Sequence, residues 1–279
     1  MLINFIMDKI TTSKTYAFFA TLIIMLTVTM TLFLPIPNNV KLIMRIILIV
    51  GFFISWRLFQ KRDRNNAKDL AFAFMTLNLA FLAVSFFTST FWNLNQETSK
   101  GFALIKLSDA VIISLFLILS FVIGGYKLKN IYLTKGRLVP GLIIGILFFI
   151  IFGYLAINNP QQRIEPDFLR KNYFWILIFV FANGFMEELI FRGIFLKKLT
   201  RYMKPVWAIV LTSVCFAVPH LTVNYDPDVL VFAGIVFVLG IICGFAMHYT
   251  RSIIAPMLIH AGADLMIIIQ VFASYGVIK

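Results

Sequence analysis

Carboxylates are scarce in this chain and cysteines nearly absent. It has 12 Asp and Glu against 25 Lys and Arg, and two cysteines in 279 residues. Cys215 and Cys243 each sit inside an apolar run without CxxC spacing, which excludes a disulfide framework and a zinc ribbon. Both read as small buried apolar side chains. Charge of either sign is thin as well: the charged fraction is 13%, about half the roughly 25% of soluble domains. A water-soluble surface cannot be built from so little.

What is present is apolar. Hydrophobic residues make up 61% of the chain and the mean hydropathy is +0.92, more than a soluble core can hide. The fold class expected is all-α, a polytopic integral membrane bundle of about nine transmembrane helices. Each span is close to the roughly 20 residues needed to cross the hydrocarbon. The spans fall near 15–35, 39–59, 70–92, 102–125, 138–157, 173–196, 205–222, 229–249 and 253–275. The first ends in Leu34-Pro35-Ile36-Pro37 rather than a small-x-small cleavage site, so it reads as a retained helix and not a signal peptide.

The net charge of +13 does not point to nucleic acid, because the cations alternate between loops. Those around Arg57–Lys68, Lys127–Arg137, Lys197–Lys204 and Arg251 outnumber the opposite set about two to one. The positive-inside rule then places the N-terminus in the cytoplasm, most simply in a cell membrane. The basic loops suit an anionic leaflet, so the lipid bilayer is the expected partner and nucleic acid is not.

No internal repeat or low-complexity stretch is present. The longest loop, about 158–172, holds Pro160 and Pro166 and divides the chain into 1–157, without a motif, and 172–270, which holds nearly all the informative polar groups. Asp109, upstream, has Lys106 on the same helix face and reads as a paired structural charge.

Ionisable side chains at membrane depth cost roughly 2.5–3.5 kcal/mol each on insertion scales and mark functional sites. The sixth span contains Asn183-Gly184-Phe185-Met186-Glu187-Glu188, followed by Arg192. Glu188 and Arg192 stand at i and i+4 and can pair. Glu187 points about 100° away, within reach of Asn183 one turn earlier. The seventh span ends at Phe216-Ala217-Val218-Pro219-His220, where the Phe216 ring can orient the imidazole and Pro219 should kink the helix. The ninth holds His260-Ala261-Gly262-Ala263-Asp264. There Asp264 can fix the His260 tautomer from behind or help hold a ligand itself, and Gly262 permits close helix approach. Taken singly, each of these has a plain structural reading as a packing charge or a hydrogen-bonded histidine. Depth argues for joint use. At a rise of about 1.5 Å per residue, Glu187 lies about 15 Å from its cytoplasmic helix end, His260 about 11 Å and His220 about 22 Å. His248, beside Tyr249 and Arg251, reads as interfacial, and Asp226 and Asp228 as loop residues around Pro227.

The series Glu187-Glu188-x-x-x-Arg192, Phe216-x-x-x-His220 and His260-x-x-x-Asp264 resembles the CPBP family of intramembrane proteases. These are the type II CAAX prenyl proteases and bacteriocin-processing, or Abi, enzymes. The three motifs occur in order over the C-terminal spans, and the prenyl proteases themselves look more like the version with Asn at the last position. The resemblance implies an intramembrane endopeptidase in which Glu187 is the base and His220 its partner in activating water. His260 and Asp264 would form an oxyanion site or complete the polar cluster. Glu188, Arg192, Phe216 and Asn183 would support it. It leaves open whether zinc is held by Glu187, His220 and His260, as in a metalloendopeptidase, or whether the mechanism is metal-free. The substrate implied is a peptide or protein in the membrane, prenylated or a bacteriocin leader. Other schemes fit worse: HExxH, Gly-x-Ser-Gly and the paired Tyr-Asp and Gly-x-Gly-Asp of aspartyl types are missing. A non-catalytic immunity or regulatory scaffold is the alternative, and an ion-coupled transporter a weaker one, since no inverted repeat is found.

Overall fold

The computed structural model describes residues 14–33, 36–62, 65–91, 93–159, 164–222 and 228–275. Asp226 and Pro227, with the loop positions Pro160 and Arg163, lie outside the described residues. Among those described there is no strand. The helices are α1 (Lys14–Phe33), α2 (Asn38–Lys61), α3 (Asn65–Phe91), α4 (Ser99–Ile123), α5 (Leu138–Ile157), α6 (Pro166–Glu188), α7 (Pro205–Ala217), α8 (Val229–Thr250) and α9 (Ile254–Ser274). Eight helical segments are long and apolar enough to cross a membrane, so the chain is a multi-pass integral membrane protein. The first expected span is the exception: its apolar stretch among the described residues runs only over Phe18–Thr29.

Three local departures from regular helix bear on the site. Helix α6 begins at Pro166 rather than at 173, because a proline at the first helical turn gives up no hydrogen bond there. The loop before it is correspondingly shorter. The sixth span is not one α-helix. After Glu188 it widens into a π-helix over Leu189–Leu196, with a last α-turn at Lys197–Leu199. The seventh span does break at its proline: α7 stops at Ala217 and a 3₁₀ turn covers Val218–Thr222.

The chain forms two compact units. The first comprises Met1–Leu82 and Ile194–Phe245, the second Ala83–Gly193 and Ala246–Lys279. In the first, Phe74 stacks on Phe52 at 5.0 Å and meets Phe195 at 4.8 Å between ring centroids. A charge cluster that the sequence reading missed lies here. Asp69 accepts from Lys198 Nζ at 3.3 Å and from the Arg201 guanidinium, and Lys198 is 1% exposed. Burial, reinforced by Asp69, pushes the neighbouring Tyr202 phenol above its ordinary pKa.

The second unit packs α9 against α5 and α6, and α4 against α6. Its core is Val180 and Ile176 of α6, Ala103 of α4, Ala156 of α5 and Ala261, Leu265, Ile268 and Phe272 of α9. Two glycines set the closeness of these contacts. A Cβ on Gly262 would lie 2.8 Å from Phe149 Cα, and one on Gly184 would lie 3.1 Å from the Met257 carbonyl oxygen. Backbone therefore meets backbone on both sides of α9 at the level of His260. Asp109, in the same unit, accepts from Thr88 Oγ1 at 2.6 Å. Its expected partner Lys106 interacts with it electrostatically and also holds its ammonium 5.5 Å from the Phe179 ring centroid.

Candidate active site

The polar cluster of the second unit is assembled by the end of α6, the start of the π-helix and the middle of α9. Arg192 Nη1 donates to Glu188 Oε1 at 2.7 Å, with both side chains fully buried. Removing two charges from solvent costs several kcal/mol each. A short hydrogen bond and a second donor on the same oxygen offset that cost. The second donor is His260, whose Nδ1 stands 2.8 Å from Glu188 Oε1. A carboxylate accepts, so Nδ1 carries the hydrogen and donates. That assignment leaves Nε2 as the nitrogen whose proton can come and go.

Nε2 faces two further carboxyl groups. Glu187 Oε2 is 3.5 Å from it and Asp264 Oδ1 is 3.6 Å from it. The adjacent glutamates thus grip opposite nitrogens of one imidazole, which their different directions on the helix allow. Two expectations are corrected here. The tautomer of His260 is fixed from behind by Glu188, not by Asp264. Asn183 does not hold Glu187: its Nδ2 donates to Asp264 Oδ2 at 2.9 Å, because α9 brings Asp264 alongside the turn before the glutamates.

Exposure within the cluster is graded. Glu188 and Arg192 are sealed, whereas the side chains of Glu187 and Asp264 are 19% and 13% exposed. The carboxylates beside Nε2 are therefore the ones a water or substrate can reach. Asn183 Oδ1 and Glu188 Oε2 are buried without a hydrogen-bond partner among the described residues, so the cluster retains two acceptors. Among the described residues no group of three His, Cys, Asp or Glu side chains is placed to hold a metal ion.

His220 and Phe216 belong to the first unit. His220 Nδ1 lies 2.9 Å from the Phe216 carbonyl oxygen, which can only accept, so Nδ1 carries a hydrogen and donates it. The rings of Phe216 and Phe232 flank the imidazole edge-on, with centroids 5.2 and 5.7 Å away. The Phe216 ring lies beside the imidazole, as the i, i+4 spacing leads one to expect. Phe232, on α8, carries no spacing signal linking it to His220. His248 is exposed at the end of α8.

Residues 169–266 match the family model described as Rce1-like, type II CAAX prenyl endopeptidase Rce1-like. No curated protein and no solved structure matches the chain. The matched segment contains Glu187, Glu188, Arg192, Phe216, His220, His260 and Asp264. The similarity to the type II CAAX prenyl endopeptidase family thus covers residues 169–266.

Proposed function

We propose that this protein is an intramembrane endopeptidase that hydrolyses a peptide bond with water activated by Glu187. The observation that carries the reading is the His260 imidazole, anchored at Nδ1 by Glu188 and flanked at Nε2 by Glu187 and Asp264. A buried ion pair built only for packing has no need of two partly accessible carboxyl groups around a second nitrogen.

In the reaction, Glu187 takes a proton from water and the oxygen attacks the scissile carbonyl carbon. The carbonyl π electrons move onto oxygen, where His260 donates from Nε2 when that nitrogen carries a proton and stabilises the charge. Collapse breaks the C–N bond, and the proton held by Glu187 passes to the leaving amine. His220 is the partner in orienting water. Asn183 holds Asp264, and the buried acceptors Asn183 Oδ1 and Glu188 Oε2 suit the hydrogens of an internal water. Zinc held by Glu187, His220 and His260 remains the competing version; metal content of the purified protein decides between them.

The substrate class is a membrane-associated peptide, either a prenylated C-terminus or a leader or bacteriocin-like segment. The site of action is the cell membrane, with the N-terminus in the cytoplasm. The test compares peptide termini in membranes of cells carrying wild type, Glu187→Gln or His220→Ala. A peptidase loses specific termini in both variants at unchanged protein level. A binding scaffold, the alternative, keeps its phenotype and changes no terminus.

A further inference from the structure

The segment between α4 and α5 carries cations and no carboxylate. Lys127, Lys129, Lys135 and Arg137 lie on it, Arg251 lies on the turn between α8 and α9, and all five are exposed. Neither 124–139 nor 246–253 contains Asp or Glu. The basic stretch after the π-helix differs, since Lys198 and Arg201 there close on Asp69.

The two segments are built into one piece. Ile131 and Tyr132 are buried and anchor the first. The Arg137 N–H donates to the Thr250 carbonyl at 2.7 Å, and Thr134 Oγ1 donates to the Arg251 carbonyl at 2.9 Å. Gly136 has φ +50°, and a Cβ there would lie within 2.3 Å of the Thr250 carbonyl oxygen, so the clasp requires glycine. Tyr132 and Arg251 hold φ of 56° and 55°, a region that side chains other than glycine enter at a cost and that marks binding sites. The Arg137 guanidinium sits 4.7 Å from the Tyr249 ring centroid. Backbone geometry thus fixes where Lys135, Arg137 and Arg251 start.

Beside these cations are exposed apolar groups, Leu128 (45%), Val139 (65%) and Tyr249 (50%). Cations next to an aromatic and aliphatic rim match the membrane–water interface. A small soluble anion would satisfy the charge and leave the rim in water; a phospholipid satisfies both. We infer that this clasp binds the phosphate of an anionic phospholipid through Lys135, Arg137 and Arg251, with Leu128 and Val139 against its acyl chain. This site is independent of the peptidase reading.

The test titrates delipidated full-length protein in detergent with phosphatidylglycerol or phosphatidylcholine, counting bound lipid by native mass spectrometry. Arg251→Gly removes a cation at a position that suits glycine. Arg137→Gln keeps the backbone bond, and Gly136→Ala keeps every cation while forcing the clasp apart. Phosphatidylglycerol should bind about tenfold more tightly than phosphatidylcholine. Arg251→Gly and Arg137→Gln should each weaken it about fivefold, the effect of one basic side chain at an anionic surface. Gly136→Ala should weaken it similarly, and none should change phosphatidylcholine binding. Equal binding of the two lipids, or no effect of either arginine variant, overturns the proposal. So does wild-type binding by Gly136→Ala, which would indicate diffuse attraction, or displacement by millimolar inorganic phosphate. If Gly136→Ala does not fold, the two arginine variants decide.

Discussion

Glu188 Oε1 lies 2.8 Å from His260 Nδ1 while receiving the Arg192 guanidinium at 2.7 Å. One oxygen thus joins a buried cation to the ring that the proposed chemistry uses. Structural and chemical duties are divided between the adjacent glutamates: Glu188 is sealed and paired, and Glu187 is partly accessible.

That division predicts different phenotypes. Arg192→Ala leaves Glu188 buried without its cation and should destabilise by about 3–5 kcal/mol. Membrane abundance and detergent melting temperature should fall well below those of Glu187→Ala. Equal abundance of the two variants would show that the pair does not carry stability.

Glu187→Gln should leave melting within a degree or two, because its side chain is 19% exposed, stands 3.5 Å from His260 Nε2 and is replaced by a side chain of the same shape. Processing of membrane peptides should drop by at least about 10²-fold, the usual contribution of a general base. Quantitative analysis of peptide termini measures this, and retained processing would remove Glu187 from the reaction.

Much of the local chemistry was legible in the sequence because it repeats at i, i+4. Glu188 with Arg192, and Phe216 with His220, are pairs that a helical wheel displays. What it could not display joins distant positions. Asn183 meets Asp264 because α9 packs against α6 through Gly184, and Asp69 meets Lys198 and Arg201 across the first unit. A loop lysine such as Lys198 reads as solvated until its partner is known. The π-helix was equally hidden, since apolar spacing near four does not distinguish hydrogen bonding at i+4 from i+5.

Asp69→Asn should destabilise the first unit, because Lys198 is 1% exposed and would lose its carboxylate. Adding Lys198→Met should recover most of the loss, since the stranded ammonium is then gone. A double variant as unstable as the single one would refute this account, as read by thermal melting in detergent.

Gly262→Ala should cost about 1–3 kcal/mol by forcing α9 from α5, as its new Cβ would lie 2.8 Å from a backbone Cα. Gly51→Ala is the control: among the described residues nothing beyond its own turn of helix lies within 4 Å of a Cβ added there, and alanine favours helix by about 1 kcal/mol. Melting temperatures moving in opposite directions are expected, and a tolerant Gly262 would mean that α9 and α5 separate freely.

The π-helix over Leu189–Leu196 takes up more residues per turn than the α-helix that precedes it. Deleting one residue there would let the wide turns relax to ordinary α geometry, with 3.6 residues per turn. That relaxation would absorb most of the loss, whereas losing Ile178 from the regular α-helix would turn the two glutamates by about 100° relative to Ile176 of the core. Glu187 and Glu188 would leave the faces they now present to the two nitrogens of one ring. A single-codon deletion away from every polar side chain would thereby undo the site as surely as replacing the glutamates.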